Sequence, residues 1–168
     1  MSSKDQVIVL IGPMGVGKTT VGRKLAKILG LPFVDTDALI IDTHGPISNI
    51  FEEQGEPTFR AYEEDAVAKA LSEPGIVATG GGAVLSQKNQ EALKSATVIY
   101  LSTDGKHMGS RLKSGNRPLL KNGLSDWRKI YDSRRKIYES VADVEINTSG
   151  QPLTATISEI REKLGIND

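Results

Sequence analysis

VIVLIGPMGVGKTT, residues 7–20, joins a short apolar run to a glycine-rich loop. Residues 7–11 are aliphatic and mostly β-branched, which predicts a buried strand. Residues 12–19 fit G-x-x-x-x-G-K-[ST], with Gly12, Gly17, Lys18 and Thr19 in the required places. Glycines let such a loop turn successive backbone N–H groups toward one anion. The next segment carries Val21, Leu25 and Leu29 at four-residue spacing and stops at Gly30. It predicts a helix whose positive end faces the same point. A chance glycine turn is disfavoured because both flanks fit. Gly15, Val16, Gly17, Lys18, Thr19 and Thr20 are therefore candidate nucleotide-binding residues. Lys18 is expected to bridge the β- and γ-phosphates, and Thr19 to offer its hydroxyl to Mg2+. The loop implies a nucleotide such as ATP but does not name what receives the phosphate.

The remaining composition narrows the class. The 168 residues suit one domain, residues 1–168, with small inserts. There is no cysteine, which excludes disulfides, thiolate metal sites and cysteine nucleophiles. No apolar run approaches the roughly 18 residues of a membrane span. MSSKDQ lacks an apolar signal segment, so a cytoplasmic protein with no membrane partner is expected. The net charge is zero but unevenly placed. Residues 35–73 hold ten acidic and two basic side chains, and residues 106–136 hold ten basic and two acidic. That basic stretch could meet nucleic acid. It contains only Trp127 and Tyr131 as aromatics and no nucleic-acid motif, so no nucleic-acid partner is expected. A solvated helix face and a site for a small polyanion remain as its explanations. With no apolar stripe apparent, monomer is the default.

Strands are predicted at residues 7–11, 31–35, 75–79, 96–102 and 144–148. Helices are predicted at 19–29, 38–42, 47–54, 57–71, 86–93, 105–112, 125–141 and 154–164. Pro57 opens one of them and Ser125 caps another. Residues 114–123, SGNRPLLKNG, have turn chemistry at both ends and no regular period. Strands alternating with helices imply an α/β fold: a three-layer sandwich around a five-stranded parallel sheet. Sites in such sheets lie beyond the carboxyl ends of the strands. The segments after the first four strands therefore point to one edge.

At that edge the second strand runs into FVDTDALI, with Asp35 at its end and Asp37 two residues later. One carboxylate can hold a metal-bound water while the other orients or deprotonates a hydroxyl. Capping of the following helix by Asp35 or Asp37 explains the pair equally well.

FVDTD, GEPTFR at 55–60, TGGGAV at 79–84, RPLL at 117–120 and RRKIY at 134–138 follow in order behind the phosphate loop. Together they resemble the shikimate kinases over residues 7–146. The resemblance implies a P-loop NTPase fold and phosphorylation of the 3-hydroxyl of shikimate by ATP, with Mg2+ as cofactor. It implies that Asp35 lies near the metal and that Asp37 contacts the reacting hydroxyl. Arg60 and Arg134 would bind the substrate carboxylate, and Gly81 and Gly82 would touch the substrate ring. Arg117 would close over both ligands from a mobile lid at about 112–124, and residues 35–63 would form the substrate-binding segment. Arg111 would stack on the base, with residues 147–150 lining its other side.

The residue chemistry suits that reading. A small hydroxy acid needs a carboxylate anchor, which two guanidinium groups supply. A glycine turn admits a ring close to the backbone. A basic lid neutralises the transferring phosphoryl group and keeps water out. Structural readings stand beside each: Arg60 as a surface ion pair, Arg134 as a helix-face charge, the glycines as a plain turn. Arg135 is expected to be a surface charge, and His44 and His107 to do no chemistry. Phe51, Phe59 and Trp127 are expected to pack, the first two walling a substrate pocket. No acidic residue ends the third strand, so Asp35 must carry more of the metal shell, with the Thr79 hydroxyl nearby. The alternatives are another small-molecule kinase, acting on a nucleoside monophosphate or gluconate, and a nucleotide-binding regulatory module. A GTPase is disfavoured because N-K-x-D is absent.

Overall fold

A computed structural model of the chain describes residues 6–111, 120 and 122–166, with the side chains of 110 and 111 excepted. β1 (Val7–Ile11) lies at the centre of a five-stranded, wholly parallel sheet. Its neighbours are β3 (Gly75–Ala78) and β4 (Thr97–Ser102), with β2 (Phe33–Asp35) and β5 (Val144–Asn147) outermost. The α/β, three-layer, parallel-sheet expectation holds.

The β1 alternation decides what each face meets. Ile8 and Leu10 point to a core shared with α1 (Lys18–Leu29) and α8 (Leu153–Leu164), through Leu25, Ile157 and Ile160. Val9 and Ile11 point the other way. There they join Val77, Tyr100, Leu93 and the aromatic face of α7 (Leu124–Val141): Trp127, Tyr131 and Tyr138. Ile8 through Ile11 are fully buried, as a central parallel strand requires. A third, smaller core gathers Ile40, Ile50, Phe59 and Ala66 between α2 (Thr36–His44), α3 (Ile47–Gln54) and α4 (Glu56–Leu71). It gives residues 36–71 packing of their own beside the sheet.

Several boundaries differ from expectation. α2 starts at Thr36 because the Asp35 side chain accepts from the Asp37 and Ala38 backbone N–H groups. The capping reading of Asp35 is therefore correct, and it does not exclude a second role. α7 starts at Leu124 with Gly123 at its N-cap, so Ser125 does not cap it. The Asp126 carboxylate reaches back instead and accepts from the Asn122 N–H at 2.8 Å. After the glycine turn the chain makes a 3-10 turn at Ala83–Leu85, then α5 (Gln87–Leu93), which Ser86 caps through the Asn89 N–H. The helix expected over 105–112 starts later, as α6 (Met108–Arg111 among the described residues), after Gly105 takes a left-handed φ of 81°. Arg117 and most of the proposed lid lie outside the described residues, as does the Arg111 side chain. Among the described residues no helix is long and apolar enough to cross a membrane.

Candidate active site

The loop after β1 passes under the end of β4. A Cβ on Gly12 would sit 2.5 Å from the Leu101 carbonyl oxygen, and its φ is +148°, so only glycine fits there. Gly17 holds the N-cap of α1 in a left-handed conformation with no side-chain cap. A side-chain cap is thus not competing for the first-turn N–H groups of α1, which an anion can use. Lys18 is buried and folds back over the loop. Its Nζ donates to the Gly12 and Pro13 carbonyls at 2.7 and 2.9 Å. This pose holds the ammonium over the loop.

A cleft of about 600 Å3 opens above the loop. Gly15 through Thr20 line one wall, and Asp35, Asp37, Thr79, Gly80 and Gly81 line another. The Thr19 hydroxyl donates to Asp35 Oδ2 at 2.8 Å, while Asp35 Oδ1 accepts from the Asp37 N–H at 2.9 Å. One carboxylate therefore ties α1 to α2. Two hard oxygen donors so placed beside a phosphate loop fit Mg2+, which takes few protein ligands and keeps water and phosphate for the rest. The Thr79 hydroxyl donates to the Leu10 carbonyl at 3.0 Å, so it is committed to the β1 end.

Beyond this cleft, the glycine triplet is wrapped in charge. A Cβ on Gly80 would lie 2.8 Å from Asp37 Oδ1 and 3.0 Å from Glu63 Oε2. One on Gly82 would lie 2.4 Å from Arg60 Nη1, and one on Gly81 3.6 Å from Arg134 Nη1. Gly80 and Gly82 thus serve first to let Asp37, Glu63 and Arg60 approach the backbone, whereas Arg134 stands at ordinary contact distance from Gly81. The Gly80 N–H donates to Thr36 Oγ1 at 3.3 Å, which ties the turn to the start of α2.

Arg60 is held by two carboxylates on its own helix, Glu56 at 3.2 Å and Glu63 at 2.8 Å. The ion-pair reading of Arg60 is correct, but the Glu63 side chain is only 1% exposed, so this is no surface pair. Burial raises the Glu63 carboxyl above its ordinary range; Arg60 opposes that rise and the Asp37 charge adds to it. Glu63 Oε2 has no hydrogen-bond partner among the described residues. Arg134 is also buried, so it is not the helix-face charge that was its alternative.

Sequence reading missed three contributors. Glu63 was one more acid in an acidic stretch, although its place three residues after Arg60 puts both on one helix face. Trp127 was read as packing only, yet its Nε1 donates to the Met14 carbonyl in the phosphate loop at 2.8 Å. Tyr138 marked a motif, with no role for its hydroxyl. Arg135 pairs with Asp132 at 3.3 Å on the surface, and His44 stacks on Tyr62. Phe51 and Phe59 pack at a 42° tilt in the small core, 4.9 Å between centroids. A second hollow of about 350 Å3 is lined by Thr103, His107, Thr148, Ser149 and Gly150, next to the stretch expected beside the base.

A phosphate loop after the central strand, an acid beyond β2 and a charged acceptor pocket define the class of small-molecule kinases of the P-loop type. A family model described as shikimate kinase matches residues 14–165. The chain belongs to the shikimate kinase family. It is 41% identical over 161 residues to a shikimate kinase of Rhodococcus jostii, covering 93% of this chain and 96% of the relative. It is 46% identical over 149 residues to that of Salinispora arenicola, covering 86% and 89%. The shikimate kinase of Acinetobacter baumannii, solved in complex with shikimate, superposes with a TM-score of 0.89 at 37% identity, covering 95% of this chain and 93% of that one.

Proposed function

We propose that this chain transfers the γ-phosphoryl group of ATP to the 3-hydroxyl of shikimate, giving shikimate 3-phosphate and ADP. One observation carries the reading: Arg60 and Arg134, from two different helices, converge on the Gly81–Gly82 turn beside Asp37. A nucleoside monophosphate or gluconate kinase does not require that pair. Family membership and the likeness to a shikimate-bound relative support the same acceptor.

In this reading the phosphate loop and Lys18 hold the β- and γ-phosphates, with Lys18 leaving the Gly12 and Pro13 carbonyls for phosphate oxygens. Thr19 and Asp35 would hold Mg2+, which when bound neutralises charge on the β- and γ-phosphates. Arg60 and Arg134 bind the acceptor carboxylate and fix its ring. Asp37 orients the 3-hydroxyl or accepts its proton. The bond from that oxygen to the γ-phosphorus forms as the bond from phosphorus to the ADP oxygen breaks. Most of the acceleration then comes from positioning and charge stabilisation. The single domain keeps residues 35–63 as its acceptor segment and 112–124 as its lid. Arg117 is the cation closing over the phosphoryl group, and Arg111 stacks on the base. The same reading has a monomeric cytoplasmic enzyme.

The test is ADP release with shikimate, gluconate or nucleoside monophosphates as acceptor. Release that depends on shikimate alone is the expected result. Release that is indifferent to shikimate removes the proposal.

A further inference from the structure

Tyr138 lies four residues after Arg134 on α7, and both side chains are buried. Its hydroxyl donates to the Gly81 carbonyl at 2.5 Å. The Arg134 guanidinium packs against the same glycine, its Nη1 3.6 Å from where a Gly81 Cβ would sit. The phenol and the arginine thus meet at Gly81, whose carbonyl belongs to the peptide that joins it to Gly82. A trans peptide sets its N–H opposite its C=O. Anchoring the Gly81 carbonyl therefore fixes the direction of the Gly82 N–H. Gly82 in turn packs against the Arg60 guanidinium.

We infer that Tyr138 is a positioning residue for acceptor-carboxylate recognition: its hydroxyl holds the Gly81–Gly82 peptide and the Arg134 guanidinium in one arrangement. The inference rests on the shikimate-phosphorylating reading above. Two features of the surroundings make it more than packing. Glycines have no side chain to fix their peptide planes, so an unanchored triplet would sample several orientations. Burial also pushes the Tyr138 hydroxyl up to about 12, with Arg134 opposing, so it remains a proton donor throughout the physiological range. The neighbouring hydroxyl pair, Tyr100 and Tyr131 at 2.5 Å, lies on the same face and serves the end of β4 instead. It supplies a control of the same chemistry without contact to the glycine turn.

The experiment compares Tyr138→Phe and Tyr131→Phe with wild type in steady-state kinetics. Loss of one hydrogen bond should raise the shikimate KM of Tyr138→Phe about three- to tenfold. Its kcat should stay within about twofold and its ATP KM unchanged. Its preference for shikimate over the carboxamide analogue should fall by a similar factor, which loss of stability alone would not produce. Tyr131→Phe should keep the wild-type shikimate KM whatever its melting temperature. An active wild type with an unchanged shikimate KM in Tyr138→Phe, or equal KM changes in both variants, overturns this inference alone. Wild type without shikimate-dependent ADP release overturns the functional reading and this inference with it.

Discussion

The Thr19 hydroxyl donates to the Asp35 carboxylate at 2.8 Å, joining the first turn of α1 to the N-cap of α2. Asp35 caps α2, and the proposed reaction gives it Mg2+ to hold as well; the two duties can be separated. Serine is as good an N-cap as aspartate but carries no charge. Asp35→Ser should keep the melting temperature near wild type while raising the Mg2+ concentration needed for half-maximal turnover about ten- to a hundredfold. Asp35→Ala should show that metal defect together with a stability loss of about 1 kcal/mol. A wild-type Mg2+ titration in Asp35→Ser would remove Asp35 from the metal site.

Arg60 pairs with Glu56 and Glu63, so its removal has two consequences. Arg60→Ala should raise the shikimate KM about ten- to a hundredfold, the cost of a charged hydrogen bond. It should also lower the melting temperature, because Glu63 is left buried without its cation. Adding Glu63→Gln should restore most of the melting temperature and leave the KM high. Calorimetry alongside kinetics checks both. A double variant as unstable as the single would mean that the Glu63 charge is not the source of the instability.

Glu63 also predicts a pH effect. Its folded carboxyl lies above the ordinary range, chiefly through burial. An unfolded glutamate titrates near pH ~4.3. The native state therefore binds the proton more tightly. This group's contribution is fully present below the unfolded value and is lost as pH rises through the folded one. Relative to wild type, Glu63→Gln should gain stability as the pH is raised from about 4 toward neutrality. Thermal melts across that range measure it, and a drift in the variant's disfavour would contradict the sign.

Asp37 faces the cleft at the start of α2 and lies against Gly80. Asp37→Asn keeps the shape and removes the base. Turnover should fall about a hundredfold or more, the usual contribution of a positioned acid or base. ATP affinity by calorimetric titration should stay within about twofold. Near-normal turnover would confine Asp37 to a structural role.

Trp127 is the sole tryptophan, and its indole N–H is bonded to the Met14 carbonyl. Its emission should therefore change when nucleotide orders the loop. The change should saturate with ADP concentration and be lost in Lys18→Ala. Emission that is unchanged at saturating ADP would show that the loop carbonyl does not move.

Local chemistry made much of this protein legible from sequence. VIVLI reads as a buried strand from its β-branched residues, and the glycine pattern behind it as a tight turn into a helix. Their order fixed a parallel sheet with its site at one edge. Asp35 and Asp37 were found because they sit at a strand end. Boundaries moved by a residue or two where a side chain reached an unforeseen N–H, as with Asp126 and Asn122. Those are choices among nearly equal local partners, which neighbours in space decide.

What spans elements was hidden. The sequence by itself determined the phosphate loop, the sheet it follows and the charged residue types of the pocket beside it. Only the tertiary structure decided that Glu63 faces Gly80 and Arg60, that Trp127 anchors Met14 and that Tyr138 anchors Gly81. Trp127 and Met14 are 113 residues apart, and Tyr138 and Gly81 are 57 apart. A contact at that separation leaves no periodic trace along the chain. It exists only because α7 packs on one face of the sheet, where its buried aromatic side brings polar tips onto the phosphate loop and the glycine turn.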